Sequence, residues 1–165
     1  MMTLERAPID LIPVLEESIQ AVRPIANKRR VLLELKTSRR PVSILGDVSG
    51  LQQVFINLIN NATKFSPEGG SVTINVVEAD GDVHVSISDR GLGIPAEAMQ
   101  HLFERFYRAK NVTIAEIPGS GIGLYIVKSI VDELGGNIRV QSEVNKGTTF
   151  LVTLHSGEQK ESQRK

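Results

Sequence analysis

Hydrophobic residues recur every three or four positions in three long stretches of this chain, which is the spacing of an amphipathic helix. The spacing predicts helices over 10–28, 48–65 and 121–134, and a shorter helix over 96–103. Asp10 and Asp47 stand at the starts of the first two helices. An aspartate side chain at that position can accept hydrogen bonds from the free N–H groups of the first turn.

Short apolar or alternating runs between the helices predict six β-strands. They cover residues 31–35, 42–45, 72–78, 83–89, 137–143 and 148–155. Asp80-Gly81 joins the third and fourth strands and favours a tight hairpin, so these two are expected to pair antiparallel. Because helices and strands do not alternate strictly, we expect an α+β fold, a two-layer sandwich in which helices cover one face of a mixed, largely antiparallel sheet.

The 165 residues fit a single domain, predicted over 1–155, followed by a polar tail over 156–165 that is expected to be disordered. Residues from about 104 to 120 show no hydrophobic period, and a loop of that length is typical of a functional lid. Lys and Arg balance Asp and Glu at 19 each, so no net charge attracts nucleic acid or anionic lipid. The chain has no cysteine, which excludes disulfides and a thiol nucleophile, and no apolar run as long as a membrane helix requires.

Three polar side chains form a stripe beside the apolar face of the second long helix. Asn57, Asn61 and Lys64 stand at positions i, i+4 and i+7, so they point in a similar direction. Amide oxygens can ligate Mg²⁺ and an ammonium group can contact phosphate, so the stripe could hold a metal–triphosphate unit. The alternative is an ordinary solvated flank, and Asn60 is expected to point further toward solvent.

Asp89 ends the apolar face of its strand, which also carries Val83, Val85 and Ile87. A carboxylate that points inward needs a hydrogen-bond donor, and the amino group of an adenine or a backbone N–H would serve. The alternative is a local turn in which Asp89 caps the following loop. Gly91 and Gly93 in that loop remove side chains where a flat base would meet the backbone.

Gly119-Ser120-Gly121-Ile122-Gly123 opens directly onto the third helix, whose free N–H groups favour phosphate. The run is neither a Walker A loop nor a dinucleotide-binding Gly-x-Gly-x-x-Gly motif. Before it, residues 103–108 combine aromatic side chains with two arginines that could reach a terminal phosphate or form a packed helix end. The three histidines lack neighbouring carboxylates in a pattern typical of a catalytic base, so we expect them to be structural or solvated.

Five motifs in this order resemble the catalytic ATP-binding domain of two-component sensor histidine kinases, within the superfamily of DNA gyrase, mismatch-repair ATPases and heat-shock chaperone ATPases. Residues 57–64 resemble the N box, 89–93 the first Gly box, 103–108 the F box, 119–124 the second Gly box and 147–150 the closing Gly-Thr motif. The resemblance covers about residues 47–152 and implies a Bergerat-type sandwich with a mobile lid over bound ATP.

The resemblance also implies roles for individual residues. Asn61 would ligate Mg²⁺ with Asn57 beside it, Lys64 would contact phosphate, and Asp89 would bind the adenine amino group. Asn57, Lys64 and Arg108 are the implied catalytic positions. The other implied nucleotide-binding positions are Phe65, Gly91, Gly93, Ile94, Tyr107, Arg108, Gly119, Gly121, Gly123, Leu124 and Thr148.

The implied reaction is transfer of the ATP γ-phosphoryl group to a histidine nitrogen, which depends on positioning and charge neutralisation. A neutral imidazole needs no strong base. Related hydrolases and anti-sigma serine kinases resemble one another in having Glu where this chain has Asn57, and an amide cannot accept a proton at neutral pH. An ATPase, a serine kinase and a degenerate nucleotide-binding module are the alternative functions.

The resemblance implies partners outside this chain. The acceptor histidine of the family lies on a separate dimerisation and phosphoacceptor domain, from which a response regulator takes the phosphoryl group. Nothing before Asp10 resembles that domain, so we expect a monomer that binds ATP-Mg²⁺ and acts on its acceptor in trans without phosphorylating itself. A cytoplasmic location is implied, with any membrane anchor of the parent protein outside this domain. The stimulus and the cognate response regulator are not encoded in these motifs.

Overall fold

A five-stranded β-sheet with helices on one face forms the body of the molecule. The computed structural model describes residues 4–109 and 121–157. Along the chain the elements are β1 (Ala7–Asp10), α1 (Leu11–Arg29), β2 (Leu32–Thr37), β3 (Ser43–Gly46), α2 (Val48–Phe65), β4 (Ser71–Ala79), β5 (Asp82–Asp89), a 3-10 helix (Ala96–His101), α3 (Gly123–Glu133), β6 (Asn137–Glu143) and β7 (Gly147–His155).

The main sheet has the strand order β2-β4-β5-β7-β6. β2 runs parallel to β4, and each of the other neighbouring pairs is antiparallel. The predicted α+β sandwich with a mixed, largely antiparallel sheet is therefore confirmed. The predicted pairing across Asp80-Gly81 is confirmed as well, because β4 and β5 pair antiparallel on either side of this turn.

Two aspartates begin the long helices as their positions predict. Asp10 Oδ1 accepts a hydrogen bond from Ile12 N at 3.1 Å at the start of α1. Asp47 Oδ1 accepts from Gly50 N at 2.8 Å at the start of α2, while its Oδ2 accepts from Glu5 N at 3.1 Å. The bonds from Ile12 N and Gly50 N satisfy backbone donors that a helix start leaves free, so both helix starts are set locally.

α2 contacts both α1 and α3 and also lies against β4 and β5. Its apolar face, which includes Leu51, Phe55 and Ile59, is fully buried. On β5 the residues alternate as predicted, with Val83, Val85 and Ile87 buried beneath the helices and the intervening polar residues partly exposed on the opposite face. The helical side of the sheet is therefore the apolar side, and the polar residues of α2 lie at its edge.

The structure differs from the predictions in four main respects. β1 is an additional strand that pairs antiparallel with β3. The helix predicted over 96–103 is a 3-10 helix over Ala96–His101, and the helix predicted from residue 121 begins at Gly123. At the predicted start of the tail, Ser156 bridges to Ile44 and Gly157 N donates to Ser43 O at 3.0 Å, so both residues belong to the folded part.

Arg29, in the last turn of α1, holds the C-terminal end of α2. Its Nε donates to Thr63 O at 3.2 Å and its Nη2 donates to Ser66 O at 2.6 Å. We expect Arg29→Met to lower the free energy of unfolding by about 1.5–3 kcal/mol, because two charge-assisted hydrogen bonds are lost while the aliphatic stem remains. Urea denaturation measures this effect. Lys28→Met, on the neighbouring exposed residue, is the control, and an equal loss in that variant would contradict this role for Arg29.

Candidate functional site

A cavity of about 260 Å³ opens between α2, the end of β5 and the start of α3. Its lining residues come from every predicted motif of which the structure describes a part. They are Asn57, Asn60, Asn61, Ala62, Lys64, Phe65, Asp89, Ile94, Leu102, Tyr107, Arg108, Ala109, Gly121, Gly123, Leu124, Thr148 and Phe150. The predicted position Gly119 lies outside the described residues. The fold therefore gathers into one concave site residues that are up to about ninety positions apart in the sequence.

The polar stripe of α2 forms one wall of the cavity. Asn57, Asn61 and Lys64 line it as their helical spacing predicts. Asn60 lines it too, so the prediction that this side chain points toward solvent is wrong. Its Oδ1 is buried and has no hydrogen-bond partner among residues 4–109 and 121–157. A buried amide oxygen without a partner is costly, so this wall offers an acceptor to a donor or a cation.

Asp89 lies at the end of the cavity formed by the sheet and is 8% exposed. Its Oδ1 accepts a hydrogen bond from Gly91 N at 2.8 Å, and the backbone N–H of Thr148 also stabilises the carboxylate. Burial outweighs these bonds and raises the pKa of Asp89 to about 6. Asp89 thus caps the following turn, as one interpretation of its position predicts, and it also lines the cavity.

The raised pKa of Asp89 makes the stability of the free domain depend on pH. The unfolded chain releases this proton near pH 3.8 and the folded chain near pH 6, so ionisation favours unfolding as the pH rises between these values. We expect the wild type to lose about 1.5 kcal/mol of unfolding free energy relative to Asp89→Asn between pH 5 and pH 8. Urea denaturation of both proteins at the two pH values measures it. A constant difference between them would contradict the shifted pKa.

Gly91 and Gly93 do not line the cavity. A Cβ atom at Gly91 would lie 2.0 Å from Phe65 O, and one at Gly93 would lie 2.0 Å from Glu143 O. The loop between them is held on both sides, because Leu92 N donates to Phe65 O at 3.3 Å and Leu92 O accepts from Asn145 N at 2.8 Å. The space that these glycines leave is therefore filled by backbone of α2 and of the β6–β7 hairpin, whereas a bound base was expected to fill it.

Residues 104–109 are the described part of the predicted lid, and they are anchored at several points. The Tyr107 ring lies 5.3 Å from the His101 ring between centroids, and His101 Nδ1 contacts Glu104 Oε1 at 2.8 Å. Phe106 N donates to Gly121 O at 2.9 Å, although Phe106 has a φ of 67° and is 65% exposed. Tyr107 and Arg108 of this segment line the cavity.

The donor set of the cavity suits a magnesium ion that is bound together with phosphate groups. In the described part of the chain there is no cluster of three or more His, Cys, Asp or Glu that could hold a metal by itself. Mg²⁺ commonly takes one or two protein oxygens and completes its shell with substrate phosphates and water. The amide oxygens of Asn57, Asn60 and Asn61 fit this pattern, and the unpartnered Asn60 Oδ1 is one such oxygen.

Several lining residues were missed by the sequence analysis. Leu102, Ala109 and Phe150 form apolar parts of the wall, and nothing in their spacing separates such residues from the core. Asn60 had a usable signal, because it is three residues after Asn57 and next to Asn61, and residues i and i+3 are neighbours on a helix.

None of the helices described here is long and apolar enough to cross a membrane.

The sequence of this chain matches a family of ATPases. The sequence model of the family described as histidine kinase-, DNA gyrase B- and HSP90-like ATPases matches residues 46–158. The chain is 38% identical over 152 residues to the signal transduction histidine-protein kinase/phosphatase MprB of Mycolicibacterium paratuberculosis. That alignment covers 89% of this chain and 28% of the relative, so the chain spans less than a third of the relative's length.

Solved structures show the same likeness. The mycobacterial sensor histidine kinase MprB superposes with a TM-score of 0.81 at 32% identity, over 94% of this chain and 100% of that one. Full-length ShkA in complex with AMPPNP superposes with a TM-score of 0.80 at 28% identity, over 94% of this chain and 32% of that one.

Proposed function

Because the chain belongs to the family of histidine kinase-, DNA gyrase B- and HSP90-like ATPases, as the catalytic ATP-binding domain of a histidine kinase, we propose that it binds ATP with Mg²⁺ in the cavity beside α2. It then transfers the γ-phosphoryl group to a histidine on the dimerisation and phosphoacceptor domain of its parent kinase. A response regulator receives the group from that histidine.

The observation that carries the proposal is the convergence of Asp89 with the amide stripe of α2 in one cavity. A carboxylate at one end can accept from the adenine amino group, while Asn57, Asn61 and Lys64 offer amide oxygens and an ammonium group to the metal and the phosphates. The start of α3 lies beside this stripe, because a Cβ atom at Gly123 would be 3.4 Å from Asn57 Oδ1. The first backbone N–H groups of α3 favour negative charge in that region.

The proposed roles follow from these positions. Asp89 holds the base, the apolar side chains of Ile94 and Leu124 flank it, and Thr148 supports it. Lys64 and Arg108 bring positive charge to the phosphates, and Tyr107 lies at the rim near the sugar. Asn61 would hold Mg²⁺ with Asn57 beside it, and the bound metal would neutralise negative charge on the phosphates.

The transfer forms a bond between the γ-phosphorus and an imidazole nitrogen while the bond to the bridging oxygen of ADP breaks. The neutral imidazole supplies its own lone pair, so the cavity needs no general base, and the N–H proton of the ring leaves to solvent. Asn57 cannot take a proton from water or from a serine hydroxyl, which argues against efficient hydrolysis or serine phosphorylation. The catalytic contribution of Asn57, Lys64 and Arg108 is therefore positioning and charge stabilisation.

Transfer to a separate acceptor tests this function. The chain is incubated with γ-labelled ATP, Mg²⁺ and the separately purified dimerisation and phosphoacceptor domain of its parent kinase. We expect label on the acceptor domain that is lost in acid, as a phosphorus–nitrogen bond is, and none on this chain. Acid-stable label, stoichiometric label on the chain itself, or rapid phosphate release without an acceptor would contradict the proposal.

A further inference from the structure

Ser142 of β6 lies outside the cavity but contacts two residues that line it. Its Oγ lies 2.8 Å from Ile94 N, 2.9 Å from Gly147 O and 2.8 Å from Thr148 Oγ1. Thr148 is 6% exposed and lines the cavity together with Asp89, and its backbone N–H stabilises the Asp89 carboxylate. One hydroxyl group therefore joins the loop after β5 to the residue beside the buried carboxylate.

The three contacts determine where the hydroxyl protons lie. Ile94 N–H can only donate, so Ser142 Oγ accepts from it, and Gly147 O can only accept, so it takes the single proton of Ser142. The remaining contact is a hydrogen bond only if Thr148 donates its own proton to Ser142 Oγ. Thr148 Oγ1 then has only lone pairs to offer to the cavity. This is the one arrangement in which all three contacts are hydrogen bonds.

We infer that Ser142 is a positioning residue for base specificity, because it fixes the Thr148 hydroxyl as an acceptor beside the acceptor Asp89. The inference rests on the proposed nucleotide-binding function. A purine with a 6-amino group can donate to this pair of oxygens. A purine with a 6-oxo group presents a third acceptor there, and Thr148 cannot turn its proton toward that group while it donates to Ser142.

The Ser142 hydroxyl also holds the loop through Ile94 N, so its removal could loosen this loop. The test therefore uses the ratio of the dissociation constants of two nucleotides, because a loosened loop would weaken the binding of both alike. The dissociation constants of the magnesium complexes of ADP and inosine diphosphate are measured by calorimetry at pH 8. These nucleotides differ at the purine 6-position, which carries an amino group in ADP and an oxygen in inosine diphosphate, and at N1, which carries a proton only in inosine diphosphate. In Ser142→Ala the Thr148 proton is released, so we expect the preference for ADP to fall about five- to tenfold.

Three further variants separate positioning from packing. Ser142→Thr keeps the hydroxyl and should restore the wild-type ratio. Ser88→Ala removes a comparable hydroxyl pair, Ser88 Oγ to Thr149 Oγ1 at 2.9 Å, on the opposite face of the sheet and should leave the ratio unchanged. In a Thr148→Val background, Ser142→Ala should have no effect on the ratio, because Ser142 acts through the Thr148 hydroxyl.

The outcomes are distinct. If the wild type binds ADP and Ser142→Ala has the same ratio of dissociation constants as the wild type, this inference is overturned but the proposed function is not. An equal shift in Ser88→Ala, or an undiminished shift in the Thr148→Val background, overturns it as well. A folded wild type that binds neither nucleotide overturns the proposed function. If Ser142→Ala does not fold, Ser142→Cys keeps the shape with a weakly bonding thiol, and an unchanged ratio in that variant counts against the inference.

Discussion

Asp89→Asn is expected to weaken binding of ATP-Mg²⁺ by about 10- to 100-fold, because a charge-assisted hydrogen bond to the adenine amino group is lost. The same substitution should make the free domain more stable. Burial raises the pKa of Asp89 to about 6, so at pH 8 the folded protein holds a carboxylate that would be better solvated in the unfolded chain. The gain in unfolding free energy approaches about 3 kcal/mol at that pH.

Calorimetry with ATP-Mg²⁺ and urea denaturation at pH 8 measure the two effects in the same protein. Asp82→Asn, at the other end of β5, is the matched control, because Asp82 contacts His155 at 3.2 Å, far from the cavity. It should leave ATP affinity within about twofold of the wild type, as expected for a surface position. Wild-type affinity in Asp89→Asn would remove the basis of the proposed nucleotide site. Lower stability together with lower affinity would mean that binding was lost through misfolding.

Gly93→Ala is expected to disrupt the loop after β5 and to abolish measurable nucleotide binding. Gly93 has a φ of 70°, and an added Cβ would lie 2.0 Å from Glu143 O. The backbone of the β6–β7 hairpin would have to move, and with it Thr148 and the loop that carries Ile94. We expect the free energy of unfolding to fall by about 3 kcal/mol or more, because a left-handed conformation and a backbone clash act together.

Gly81→Ala provides the control for conformational strain alone. Gly81 has a φ of 80° in the β4–β5 turn, but nothing lies within 4 Å of an added Cβ. This variant should lose only about 1 kcal/mol and keep its nucleotide affinity. Thermal or urea denaturation compares the two variants. Equal losses would show that the close approach of Gly93 to Glu143 has no energetic effect.

Elements whose signals are local could be predicted closely from the sequence. The predicted bounds of α2 match the structure, because Asp47 supplies a cap, the apolar residues keep a helical period, and Ser66-Pro67 ends the helix. The β4–β5 hairpin follows from Asp80-Gly81 for the same kind of reason. The polar stripe of α2 and the inward direction of Asp89 also depend only on the period of the element that carries them.

Features that depend on distant parts of the chain could not be predicted in this way. β1 has four mostly exposed residues, including Pro8, so it shows no alternation, and it exists because β3 pairs with it. The burial of Asn60 Oδ1 is a tertiary feature that the helical period of α2 does not show. The sequence indicates that Gly93 must be small, but only the fold identifies Glu143 O as the atom that approaches it.

The polar face of the sheet, opposite the helices, is suitable for site-specific chemical labelling. Ser86 lies there in the middle of β5, partly exposed, and the chain contains no cysteine. A thiol introduced at Ser86 would be the single attachment point for a fluorophore or a solid support. Because this face is turned away from the cavity, immobilised protein would present the cavity and its rim to the surrounding solution.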